Sequence, residues 1–185
     1  MYFPSWGQIN KRTEKEARKA VFDTAFYYSG FVREPLKKGM GNKHWAIAKF
    51  NKALKLPPTS AYCSSFGAYV FRANGYVMPG INGMAYSWKK STRLAWHRGL
   101  LQIDRELWPR LNLMDAVVCT WSHVEFIGPN ADGNIGYGLD GITTIAGNTR
   151  GGKNRGEGVY YPIYRPFWMV SGIYNHFSPY FSTLK

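Results

Sequence analysis

Ala61-Tyr62-Cys63-Ser64-Ser65-Phe66-Gly67-Ala68-Tyr69-Val70-Phe71 follows directly on a Pro57-Pro58-Thr59-Ser60 turn. Proline stops the preceding helix and resets the backbone, and Ser60 is placed to cap a new one. The stretch therefore reads as an apolar helix that closes near Asn74-Gly75, with Cys63 in its first turn. A thiol there feels the exposed N–H groups and the helix dipole, both of which favour thiolate. A buried free cysteine on an apolar stripe is the plainer reading, because most such thiols are inert.

Working outward, the N-terminal half is helical. Residues 1–10 read as a loose arm. Asn10 to Tyr28 reads as a helix, with Thr13-Glu14-Lys15-Glu16 as a capping box and Ala17, Ala20, Val21, Thr24, Ala25 and Tyr28 on one stripe. Gly30 ends it, a basic loop follows, and a second helix runs from about His44 to Leu54. Residues 79–112 give weaker signals. Pro79–Gly83 is a loop, Ala85–Trp88 a short helix or turn, and Leu100–Ile103 a strand or irregular connection.

From Leu113 the pattern changes to strands. Ala116–Cys119, His123–Ile127, Gly141–Ile145, Gly158–Tyr164 and Trp168–Ile173 are short, β-branched or aromatic runs. Residues 129–134 form a turn, and 147–158 read as a Gly-rich basic loop. That loop lacks the Gly-Lys-Ser/Thr of a phosphate-binding loop and is expected to be a flexible rim. Helices first, then strands, is an α+β order in one domain.

At 185 residues the chain is long enough to bury a core, and no run approaches a membrane span. The first residues show no secretory signal, so the expectation is cytoplasmic synthesis without classical export. Two cysteines, Cys63 and Cys119, are too few for a disulfide scaffold or a four-thiolate zinc site. Cys119 lies in an apolar run and is expected to be buried. Net charge is +13: residues 1–62 hold 12 Lys/Arg against 4 Asp/Glu, whereas 113–185 hold 5 against 5. A basic helical half favours an anionic polymer as partner, or is simply a solvated face.

Two later segments complete a chemical pattern. Ser122-His123-Val124-Glu125-Phe126-Ile127 opens a strand with a histidine, and Ile145-Ala146-Gly147-Asn148-Thr149 carries an asparagine. Cys63, His123 and Asn148 supply a nucleophile, a base and an orienting amide in the order of a thiol hydrolase. Each is weak alone, since a half-buried histidine and a turn asparagine are common. Glu125 shares a strand face with His123 and is the second candidate to orient it. Trp121 and Trp88 are candidates to line a groove, as is Tyr62 beside the nucleophile.

With those residues in place the chain resembles the CHAP family of cysteine- and histidine-dependent amidohydrolases/peptidases, and more distantly the NlpC-like wall peptidases. The resemblance covers roughly residues 20–172. Tyr62-Cys63-Ser64-Ser65-Phe66 resembles the family's Trp-Cys-Ala-Ala-Phe, and Met114-Asp115-Ala116-Val117-Val118 its Gly-Asp-x-Val strand. Ser122-His123-Val124-Glu125-Phe126-Ile127 resembles Gly-His-Val-Gly-Ile-Val, and Thr144–Thr149 resembles Thr-Ile-Glu-Gly-Asn-Thr with Ala146 in place of the glutamate. The resemblance implies a papain-like fold and hydrolysis of an amide bond in peptidoglycan, as amidase or endopeptidase, by Cys63, His123 and Asn148, without metal or cofactor. Lacking an export signal, such a hydrolase is expected to reach the cell wall through phage lysis, a virion or a contact-dependent secretion system. The alternatives are a basic nucleic-acid-binding module, for which no recognisable motif is present, and an inactive structural protein that keeps the fold.

Overall fold

The computed structural model describes residues 12–35, 42–90, 92–96, 110–138, 140–150 and 156–181. The expected N-terminal arm and the Leu100–Ile103 segment lie outside them. Among the described residues three helices precede a six-stranded sheet, antiparallel throughout, with strand order β1-β6-β2-β3-β4-β5. The architecture is α+β.

Helix α1 (Glu14–Ser29) starts where the capping box predicts. Thr13 Oγ1 accepts from the Glu16 N–H at 3.3 Å, and the Glu16 carboxylate takes the Thr13 N–H at 2.8 Å. Its buried stripe of Ala17, Val21, Ala25 and Tyr28 packs into the core. Helix α2 (Trp45–Ala53) is capped twice. The His44 ring accepts from the Ala46 N–H, and the buried Glu34 carboxylate takes the N–H groups of Lys43 and His44. Helix α3 (Cys63–Ala73) is apolar and almost wholly buried.

A 3₁₀ turn (Ala85–Lys90) leads to β1 (Thr92–Trp96), a strand with no clear signal in the sequence. The rest are β2 (Ala116–Cys119), β3 (Val124–Ile127), β4 (Gly141–Arg150), β5 (Glu157–Pro166) and β6 (Val170–Asn175), with a short α4 (Ser178–Phe181) after them. Strand β4 runs five residues past its expected end, so 147–150 belong to the sheet and not to a loop. The strand is bulged there: its pairing with β5 shifts between Ala146 and Thr149, and Asn148 has a left-handed backbone, φ 57°. Asn is among the few residues that tolerate this conformation.

Alternation along β3 decides what each sheet face holds. Val124 and Phe126 join the main core with α1, α2 and α3, while Ile127 and its neighbour Val117 join a smaller cluster with Ile142, Phe167 and Ile173. Glu125, paired with Val117, thus belongs to the face away from the helices. On the helix face α3 lies close against the sheet at Gly67, where Phe126 and Trp88 fill the space a side chain would take. Close packing at that point fixes the height of the Cys63 helix over β3.

Candidate active site

The start of α3 is held from three sides. Buried Asn51, on α2, donates its amide to the carbonyls of Pro58 and Ser60, each at 3.0 Å, and accepts from Ser65 Oγ at 2.6 Å. One side chain thus clamps the Pro-Pro turn to the first turn of α3. Ser64 Oγ accepts from Trp88 Nε1 at 2.9 Å and donates to the Asn82 carbonyl. Ser60 is not the helix cap: Tyr62 takes that position, with no side-chain cap bond, and the Ser60 carbonyl serves Asn51. The first-turn amides are therefore left uncapped by any side chain, next to the sulphur.

Cys63 sits at the first helical position, 6% exposed. Burial opposes its ionisation. The His123 side chain and the N–H groups of Val124 and Ser64 outweigh that, and hold the thiol below its ordinary pKa. His123, 5% exposed, stands just before β3. Burial disfavours its charge as well, but the neighbouring Cys63 thiol and Glu125 carboxylate raise it to about 9. Both shifts favour a thiolate–imidazolium pair.

The group against the far side of the imidazole is Glu125. Its Oε1 lies 3.2 Å from His123 Nε2, an ion-pair contact that falls short of hydrogen-bond geometry. The same oxygen takes Arg165 Nε at 2.7 Å and Nη2 at 2.6 Å, and Oε2 accepts from Thr144 Oγ1. Full burial pushes this carboxyl up, yet His123 and Arg165 bring it down to about 2. Trp121 stacks parallel to His123, 6° between planes and 6.1 Å between centroids, and is 41% exposed beside exposed Thr120 and Ser122. The site therefore opens to solvent along residues 120–122.

Asn148 is elsewhere. Extending the β3–β4 register from Phe126↔Ile145 would set it opposite His123, the place an orienting amide needs. The bulge and the left-handed turn break that alternation. The Asn148 N–H faces the Tyr62 hydroxyl, and its Oδ1 is buried with no hydrogen-bond partner. No bond between Asn148 and His123 occurs among the described residues, so the carboxylate two residues along the strand holds that position instead. Tyr62 and Trp88, expected at a groove, are both 0% exposed and belong to the core. Of the four aromatic and acidic candidates, Glu125 and Trp121 lie at the site. Cys119 is buried as expected, its thiol pushed up by burial and then by Glu125.

No protein-family model, curated protein or solved structure matches this chain. The site is therefore described by its own geometry. Sequence reading missed Arg165, which reaches Glu125 from β5, and Asn51, which sets the turn before Cys63. Neither position carries a local signal; only the fold brings them in. A concavity of about 780 Å³ between α1 and the 129–135 turn, lined by Lys15, Arg18, Phe22, Leu113 and Ile135 among others, contains none of Cys63, His123 and Glu125. Chemistry, not volume, locates the site. Among the described residues no group of three or more His, Cys, Asp or Glu is placed to hold a metal ion, and no helix is long and apolar enough to cross a membrane.

Proposed function

We propose that this protein is a cysteine hydrolase of papain-like architecture that cleaves an amide bond in peptidoglycan, as a member of the CHAP-like wall amidases and peptidases. The observation that carries the reading is one contact chain: thiol at a helix start, imidazole against it, buried carboxylate against the imidazole. Each link supplies what nucleophilic acyl transfer needs.

In the proposed reaction the Cys63 thiolate attacks the carbonyl carbon, and the carbonyl electron pair moves to oxygen. The Cys63 N–H, at the uncapped end of α3, is a donor for that oxyanion; such a donor is worth about 3–4 kcal/mol of barrier where one has been removed. His123 gives its proton to the departing amine nitrogen, the C–N bond breaks, and a thioester remains. Neutral His123 then takes a proton from water, whose oxygen attacks the thioester and releases the acid and the thiolate. Glu125 holds the ring through Nε2, which leaves Nδ1 to face the sulphur, and its charge stabilises the imidazolium. The assignment thus becomes Cys63, His123 and Glu125, with Asn148 outside the proton path. Peptidoglycan as the substrate rests on the motif resemblance and on the basic N-terminal half, suited to the anionic envelope.

The test is digestion of purified peptidoglycan by wild type and Cys63→Ala, with product masses and new termini read by mass spectrometry. Release by wild type alone, with a new amine and carboxyl at one position, is the expected result. Equal release by both, or none from several wall chemotypes, refutes the proposal.

A further inference from the structure

We propose that Arg165 is a positioning residue of this site, resting on the thiol-hydrolase reading above: it fixes the Glu125 carboxylate beneath His123, keeps it charged, and so sets the acid limit of the Cys63–His123 pair. The guanidinium comes from β5, two strands away from β3, and reaches Glu125 past Thr144 of the intervening β4. Two of its nitrogens converge on Oε1, and Nη2 also donates to Thr149 Oγ1 at 3.1 Å. The guanidinium lies over the Trp121 ring at 5.6 Å, and that ring is itself stacked on His123. One cation therefore touches both the carboxylate behind the imidazole and the indole beside it.

Why the site needs it follows from burial. The Glu125 side chain is 0% exposed. A carboxylate so placed takes up a proton unless cations and hydrogen bonds hold its charge. Among the described residues four groups face it: His123 from just before its own strand, Thr144 from β4, Arg165 from β5, and the Cys119 thiol from β2 within electrostatic reach. Only Arg165 is charged at every working pH. His123 is charged only while it holds the proton that catalysis moves, so its support for Glu125 disappears when it acts as base. Arg165 also shares Oε1 with Nε2, which keeps the ring at 3.2 Å.

The experiment uses the full chain with Arg165→Met, Arg165→Lys and Glu125→Gln. Cys63 alkylation by iodoacetamide and peptidoglycan hydrolysis are each measured from pH 4 to 10. Arg165→Met should move the acid limb of both profiles upward by about a unit or more, at least a tenfold loss near pH 5 that closes by pH 8.5. Arg165→Lys should recover part of the displacement, since it restores charge without the fork. Adding Arg165→Met to Glu125→Gln should move the limb no further. A uniform loss at all pH values, no change, or an undiminished shift in the Glu125→Gln background overturns the proposal. Should Arg165→Met not fold, Arg165→Lys and its double variant with Glu125→Gln give the same comparison. Alkylation reads the thiol without any substrate, so Arg165 is tested even where peptidoglycan proves not to be cleaved.

Discussion

Gly67→Ala should be destabilising and should also disturb the chemistry. On an exposed helix position this substitution stabilises by about 1 kcal/mol, because alanine loses less backbone entropy and favours helix. Gly67 lies mid-helix in α3, facing the sheet. A methyl there would stand 2.7 Å from both Phe126 Cε2 and Trp88 Cζ2, and nearer still to Phe126 Cζ. An ordinary carbon contact is about 3.5–4.0 Å, so the shortfall is close to an ångström. Neither ring has room to retreat: Phe126 and Trp88 are fully buried, pack edge-to-face on each other, and share Phe71. Helix α3 must therefore lift from β3, and overpacking of this kind costs about 1–3 kcal/mol. Set against the propensity gain, this leaves a net loss of up to about 2 kcal/mol. Cys63 is one turn away on the same rigid helix and His123 is on the strand side, so the lift opens the thiol–imidazole contact. Urea unfolding gives the stability change, as a lower midpoint at unchanged m. Iodoacetamide alkylation at pH 7 gives the chemistry, as a slower rate because the thiol regains an ordinary pKa. A variant as stable as wild type, with unchanged alkylation, would refute both the packing argument and the coupling.

In the proposed reaction, hydrolysis should fall as pH rises through about 9, where His123 loses the proton it would give the leaving amine, while Cys63 alkylation continues undiminished. The same shift makes a stability statement: the His123 contribution is complete below its ordinary 6.5 and fades through about 9, whereas that of Glu125 is present above its ordinary 4.5 and is lost as pH falls through about 2. Arg18→Met should cost about 3–5 kcal/mol by thermal or urea unfolding, because it strands buried Asp115, to which Arg18 Nη1 donates at 2.8 Å. Burial outweighs Arg18 and raises Asp115 to about 7, so the loss should be smaller at pH 5, where the acid is neutral, than at pH 8. Tyr62→Phe should leave stability within about 0.5 kcal/mol of wild type or raise it, since the hydroxyl it removes is buried without a partner in hydrogen-bond geometry. A loss above 2 kcal/mol on urea unfolding would show that the Asn148 N–H is a real partner.

What the sequence could reveal tracks how local each determinant is. The α1 capping box, the α3 stop at Asn74-Gly75 and the buried runs Ala116–Cys119 and Val124–Ile127 are settled by neighbours within a few positions, and the structure has them where periodicity and turn chemistry put them. β1 was not legible, because a short edge strand takes its conformation from pairing with β6 some eighty residues on. The site divides along the same line. Cys63 and His123 announce themselves through position, a helix start and a strand start. The choice between Asn148 and Glu125 turns on one bulge. Unbroken, the β3–β4 ladder would bring Asn148 across from His123; with Asn148 left-handed, the ring meets the residue two places along its own strand. Sequence showed Glu125 on the right face but could not show that anything would hold a carboxylate there, since burying one unaided is unfavourable. The missing fact was Arg165, forty residues away on β5. A buried acid becomes a credible partner for a histidine only when its own counter-charge is known, and that counter-charge is a property of strand order, which no window of sequence contains.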